Sequence, residues 1–238
     1  MKLSIVIPAF NEEKYLPATL KKVYQALAVA KCDAEVIVVD NQSLDKTGEI
    51  AKNSGAVVVF EIEHNIGKVR NTGAKTAEGD LLVFVDADTQ APQKLFQRIV
   101  EIMADEKCFG GAVAVEYENF ERKWMRFYLL GWHFWSAFLN MKQGATQFCR
   151  KDAFLEIGGY DESVYMGEDV EFYWRLSKLA RQNGGYLHFI ENPKVVTSSR
   201  RFDKMNVWKI LLLTNPLFFL FTTKKKSLWR DWYDKPIR

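Results

Sequence analysis

The chain has 238 residues, of which 48% are hydrophobic and 26% charged, with a formal net charge of +3. That length can bury one sizeable core plus a small appendage, and the balance excludes a wholly disordered chain. The charge is too small to imply nucleic-acid binding, and Cys32, Cys108 and Cys149 lack metal-ligand spacing, which fits a reduced compartment. The opening apolar run is too short for a signal peptide and ends in Pro8-Ala9-Phe10-Asn11-Glu12-Glu13.

Strand-like runs follow at Leu3–Pro8, Glu35–Asp40, Val57–Ile62 and Leu81–Asp86. Each is short, apolar and without alternation, as expected for strands covered on both faces. Between them lie helical stripes: Leu16, Leu20, Val23 and Leu27, and after the fourth run Leu95, Ile99 and Ile102. This alternation predicts βαβ units and a mainly parallel sheet flanked by helices. In such sheets ligands sit beyond the carboxyl ends of the strands. The tips carry Pro8-Ala9-Phe10-Asn11, Asp40-Asn41 and Asp86-Ala87-Asp88. A fifth strand is predicted over Gly111 to Tyr117, and an aromatic stretch occupies Trp124 to Met141. A loop with Gly158-Gly159-Tyr160-Asp161-Glu162 precedes Gly167-Glu168-Asp169 and a helix. No linker or repeat divides the chain, so residues 1–200 read as one domain and 201–238 as an apolar and basic extension.

Four segments carry chemistry. Asp86 and Asp88 end a buried strand at i, i+2 spacing, where both carboxylates can reach one hard cation such as magnesium or manganese, or its waters. Such an ion suits a nucleotide diphosphate, whose departing negative charge must be neutralised. Asp88 could instead cap the helix that follows. Asp40 can accept a hydrogen bond from a base or ribose, while Ser43 and Asp45 suit helix capping. Lys68 and Arg70 lie near a helix start, where free amides favour phosphate, although a solvated basic face fits equally. Asp169 shares a face with Phe172, Tyr173, Leu176 and Leu179, which turns it inward and suits it to act as a general base on a hydroxyl group.

Taken in order, Ser4-Ile-Val-Ile-Pro-Ala-Phe-Asn-Glu-Glu13, Asp40 with Ser43 and Asp45, Asn65-x-Gly67-x-x-Arg70-Asn71-x-Gly73, Asp86-x-Asp88, Gly158-Gly159-Tyr160-Asp161-Glu162 and Glu168-Asp169 resemble glycosyltransferase family 2. The resemblance covers about three quarters of the chain. It implies a GT-A, Rossmann-like fold, a nucleotide-diphosphate sugar donor (UDP- or GDP-linked), a divalent cation and inversion at the anomeric carbon. It further implies that Pro8, Ala9, Asn11 and Glu12 line the nucleotide pocket and that Asp40 contacts the base. Arg70, with Lys68 nearby, approaches the diphosphate; Asp86 holds ribose or a metal-bound water; Asp88 is the main metal ligand; and Asp169 is the base. The Gln-x-x-Arg-Trp motif of processive members is absent, which implies transfer of a single sugar. His188 is a candidate further metal ligand, or a structural histidine.

A rival reading makes Asp86 the nucleophile of a haloacid-dehalogenase-like phosphatase. That motif belongs on a first strand, whereas here complete βα units precede it and their polar tips would be left idle. In the extension, Val207 to Thr222 is the most apolar stretch, but Lys209 and Asn215-Pro216 interrupt it. Trp208, Trp229 and Trp232 lie among Lys224-Lys225-Lys226 and Arg230, a mixture that suits either a membrane interface or packing onto the domain or a second subunit. The expectation is a cytoplasmic protein, peripheral at the membrane if the first alternative holds, with a hydroxyl acceptor that is then lipid-linked. Arg200-Arg201 fits acceptor or diphosphate binding as well as surface charge.

Overall fold

The early apolar runs form four strands separated by helices. In the computed structural model, which describes residues 1–118, 144–200 and 223–225, the chain begins β1 (Leu3–Ala9), α1 (Leu16–Ala30), β2 (Ala34–Asp40), α2 (Thr47–Asn53), β3 (Val57–Phe60), α3 (Ile66–Thr76) and β4 (Leu81–Val85). It continues β5 (Thr89–Gln90), α4 (Leu95–Met103), β6 (Cys108–Tyr117), β7 (Thr146–Arg150), α5 (Lys151–Glu156), α6 (Glu168–Gln182) and β8 (Tyr186–Thr197). The strands make one sheet in the order β3-β2-β1-β4-β7-β6-β8-β5.

The expected parallel pairing holds through β3, β2, β1 and β4. Beyond β4 the sheet is mixed. β7 runs antiparallel to both β4 and β6, β8 is parallel to β6, and β5 is antiparallel to β8.

The lack of alternation in these strands has the expected cause. Along β1, Leu3, Ile5 and Ile7 face one helical layer and Val6 the other; β4 divides in the same way, with Leu81, Val83 and Val85 opposite Leu82 and Phe84. One layer brings Leu16, Leu20 and Val23 of α1 and Leu95, Phe96 and Ile99 of α4 onto the sheet. The other brings Val69 of α3, Phe154 of α5 and Phe172 and Leu176 of α6. Each such side chain contributes about 1.5–3 kcal/mol by burial, so the central strands hold the sheet rigid beneath its rim. β3 departs from the expectation. It is an edge strand, and Val57 and Phe60 are exposed because no strand lies beyond it among the described residues.

Two glycines allow close approaches. A Cβ on Gly73 would stand 2.4 Å from Val6 Cγ1 and 2.8 Å from Val39 Cγ2, so its absence lets α3 settle onto β1 and β2. A Cβ on Gly111 would meet the His188 carbonyl oxygen at 1.8 Å, within the β6–β8 ladder. Among the described residues no helix is long and apolar enough to cross a membrane. The aromatic stretch 124–141, Arg201 and most of the extension lie outside the described residues.

Candidate active site

The sheet presents its polar tips together because β1, β2 and β4 run parallel. β1 lies between β2 and β4, so strand order reverses there and leaves a crevice at the carboxyl ends. Two loops are laced across this rim. The Asn11 amide donates to Ser43 Oγ (3.0 Å), Leu44 donates to Asn11 Oδ1 (2.8 Å), and the Glu12 amide donates to Thr47 Oγ1 (2.7 Å). Asn11 adopts a left-handed backbone (φ 54°) to make the turn after β1. Pro8 and Ala9 lie buried at the end of that strand, where the Ala9 carbonyl accepts from the Asn41 amide.

Buried Asp40 accepts from the Ser43 amide at 2.9 Å and so helps to shape the loop after β2. The capping expected of Ser43 and Asp45 takes another form. Ser43 serves Asn11 instead of a helix, while Asp45 Oδ1 accepts from the Thr47 amide at 3.0 Å, one residue outside the cap position.

At the tip of β4, Asp86 joins the opposite side of the crevice through an arginine. Arg70, on α3 and buried, donates to Asp86 Oδ1 (2.8 Å) and to Glu168 Oε1 (2.6 Å), and its guanidinium lies 5.2 Å from the centre of the Tyr160 ring. Burial works against its charge, and the carboxylates of Asp86 and Glu168 outweigh that effect. Tyr160 stacks on Phe172, with ring centroids 4.3 Å apart, and donates to Gln147 Oε1 (3.1 Å). Asn71 holds the Tyr160 loop by bonding both its amide and its carbonyl.

Half-buried Asp169 follows Glu168 in the first turn of α6 and accepts from the Gly144 amide at 2.6 Å and from the Val170 amide at 2.9 Å. Burial, then the neighbouring Glu168 charge, pushes its carboxyl up to about 7 against the opposing pull of Arg70. A carboxylate titrating near neutrality is suited to accept a proton. Gly144 and Ala145 connect the two carboxylates structurally, since the Asp86 amide donates to the Ala145 carbonyl.

Asp88 does not cap α4, whose cap position is Lys94. Its Oδ1 accepts from Thr197 Oγ1 (3.3 Å), and its Oδ2 lies 3.2 Å from Arg200 Nη2. The same nitrogen pairs with Glu12 Oε1, and the guanidinium sits 4.2 Å from the centre of the Tyr15 ring. Buried Arg200 is therefore not surface charge. The β5–β8 ladder and a bond from Thr89 Oγ1 to Thr197 Oγ1 bring it there.

The structure gathers Glu12, Arg70, Asp86, Asp88 and Asp169 on one rim with Glu168 and Arg200. Lys68 stands apart from them. Its amide donates to Asn65 Oδ1, the cap of α3, and its ammonium pairs with Glu63 at 2.6 Å. His188 lies nine residues along β8 from Thr197, about 30 Å in an extended strand, and so is remote from Asp88. Among the described residues no group of three or more His, Cys, Asp or Glu is arranged to hold a metal ion. The oxygen chemistry of Asp86 and Asp88 nevertheless fits a hard divalent cation. The sequence singles out Glu168 beside Asp169, and Arg200 as fitting acceptor or diphosphate binding, but nothing local reveals a partner 98 or 188 residues away.

The comparisons with known proteins agree with this architecture. The family model for glycosyl transferase family 2 matches residues 4–158. A probable glycosyltransferase from Bacillus subtilis, YdaM, is 28% identical over 87% of this chain and 52% of its own length. The undecaprenyl-phosphate 4-deoxy-4-formamido-L-arabinose transferase of Aeromonas hydrophila is 37% identical over 42% of this chain and 32% of its own. The chain thus spans about half or less of these curated relatives.

Among solved structures, the mannosyltransferase PcManGT of Pyrobaculum calidifontis, in complex with GDP-Man and Mn2+, superposes with a TM-score of 0.66 at 20% identity. The match covers 87% of this chain and 59% of that one. TarS residues 1–349 of S. aureus, in complex with UDP-GlcNAc, gives 0.66 at 18% identity over 95% and 73%. These likenesses establish the GT-A fold. The phosphatase reading has no support: three βα units precede Asp86, and their tips build the rim. With more than half its length matched in one ordered block, the chain belongs to glycosyl transferase family 2.

Proposed function

We propose that the chain transfers a single sugar from a UDP- or GDP-linked donor to an acceptor hydroxyl group, with inversion at the anomeric carbon. The observation that carries this reading is the Arg70 bridge, which joins Asp86 on the sheet rim to Glu168, the residue beside Asp169. It draws the donor-side acid and the acceptor-side acid into one buried network.

In this mechanism the acceptor oxygen attacks the anomeric carbon while the bond from that carbon to the diphosphate breaks. The nucleoside diphosphate leaves with the electron pair, and Asp169 takes the acceptor proton. Asp169 is held for this task by the Gly144 and Val170 amides. The loop of Pro8, Ala9, Asn11 and Glu12, with Asp40, forms the wall against which the nucleotide packs. A magnesium or manganese ion would be held by Asp88 and Asp86, where it would supply positive charge to the departing diphosphate. Arg70 keeps Asp86 oriented and contributes positive charge beneath the site.

The deciding test is release of UDP or GDP from a panel of nucleotide sugars in the presence of manganese. Turnover that is lost in Asp169→Asn, with donor binding retained, supports the assignment. Loss of donor affinity in that variant would reassign Asp169, and the absence of turnover with every donor would remove the function.

A lipid-linked acceptor belongs to the same proposal, prompted by the aromatic and basic extension and by the undecaprenyl-phosphate named for a relative. The described residues 223–225 lie against the loop that precedes α6. Thr223 accepts from the Tyr165 amide at 2.7 Å, and Lys224 pairs with Asp161 at 3.0 Å. Flotation with anionic vesicles is the check, and failure to bind them would count against a peripheral membrane location.

A further inference from the structure

Arg200 sits where an incoming cation would have to act. Its side chain is 8% exposed, and one nitrogen, Nη2, serves both Glu12 and Asp88, while Nε is buried without a hydrogen-bond partner among the described residues. A guanidinium presents five donors in a planar fork, and this arrangement leaves that capacity poorly used. The pairing is thus short of acceptors on the arginine side. A divalent cation with a diphosphate corrects that, because the ion takes the carboxylates and the diphosphate oxygens accept from the guanidinium.

We propose that Arg200 is an internal counter-cation. In the donor-free protein it occupies Glu12 and Asp88 and competes with the divalent ion, and when the donor arrives it moves onto the diphosphate. The aromatic ring of Tyr15 gives the guanidinium a surface on which to pivot. Arg200 lies just beyond β8, whose last residue, Thr197, bonds to Asp88, so a shift at the strand end need not disturb the sheet. The inference rests on the proposed function, because it takes the ligand to be a cation-bound nucleoside diphosphate.

The test uses the full chain and two readouts besides activity. Manganese affinity of the donor-free protein is measured by electron paramagnetic resonance of the free ion, and UDP and GDP affinity in saturating manganese by calorimetry. Arg200→Gln is expected to bind manganese roughly tenfold more tightly, because a like charge has been removed next to the carboxylates. The same variant is expected to bind the diphosphate roughly tenfold more weakly, having lost a charge-assisted donor. Arg200→Lys, which keeps a charge, stays close to the wild type in manganese affinity. If Arg200→Gln does not fold, Tyr15→Ala replaces it; with the ring removed and all carboxylates kept, manganese binding is again expected to tighten.

Unchanged or weaker manganese binding in Arg200→Gln, or in Tyr15→Ala where it replaces that variant, would overturn the competition. Tighter manganese binding with unchanged diphosphate affinity would overturn the transfer. If the wild type binds neither UDP nor GDP, the proposed function fails, while the manganese titration still decides whether Arg200 guards the carboxylates.

Discussion

Asp169 has a carboxyl pushed up to about 7 from an ordinary 3.8, chiefly by burial and by Glu168. Two consequences follow. Transfer, if Asp169 is its base, rises with pH through about 7 as the carboxylate forms, and Asp169→Asn removes that limb together with about 10²–10⁴-fold of the rate. Stability runs the other way. Between about pH 4 and 7 the folded protein keeps a proton that the unfolded chain releases, so this contribution is fully present below 4 and is lost as pH rises through 7. Asp169→Asn, neutral throughout, is therefore expected to exceed the wild type at pH 8 by about 1–2 kcal/mol, allowing for partial exposure, and to match it at pH 4. Urea denaturation at the two pH values measures both.

At this scale the positions of Asp86 and Asp88 at a strand tip and of Asp169 in the first turn of a helix were legible, because these are local patterns. The sequence did not disclose that Asp86 is paired with Arg70, or Asp88 with Arg200, because an ion pair between distant segments leaves no periodic trace. Arg70→Met tests the first of these pairs. It leaves the buried Glu168 carboxylate without its charged partner and is expected to cost about 3 kcal/mol by chemical denaturation.

Among the elements, legibility followed burial. β1, β2 and β4 lie where the unbroken apolar runs place them, since strands covered on both faces need no alternation. β7 and β8 were not read, and with them the antiparallel half of the sheet. β7 is five residues long and contains Gln147 and Arg150, while β8 carries polar residues and a proline, so neither resembles a buried strand. The contact between α3 and the sheet makes a sharper test. At Gly73 a methyl group would overlap Val6 and Val39, both in the core. Gly73→Ala gains helix propensity of about 1 kcal/mol, yet overpacking costs typically 1–3 kcal/mol. A net loss is expected, together with displacement of Arg70, which stands one turn earlier on the same helix. A drop in turnover larger than the loss of stability explains would show that α3 positions the site as well as packing beneath it.

For the whole molecule, the rim is a charge balance held on a rigid sheet. Among the described residues, Glu12, Asp86, Asp88, Glu168 and Asp169 lie with Arg70 and Arg200, and buried carboxylates are tolerable in such a crevice only while protons, water or cations offset them. On the proposed function, a ligand that supplies positive charge and phosphate oxygens together is expected to bind the folded state selectively and to stabilise it. At a ligand concentration 100 times the dissociation constant the gain is about 2.7 kcal/mol, or about 5–10 °C in Tm for a chain of this size. The preferred nucleotide, UDP or GDP, is expected to produce that shift with manganese and a smaller one without it. Asp88→Asn removes one of the carboxylates facing Arg200 and a ligand for the ion, so the manganese-dependent part of the shift should disappear while the manganese-free part remains. If the full shift survived in Asp88→Asn, the cation would be held elsewhere, and the rim of β4 would lose its role in binding it.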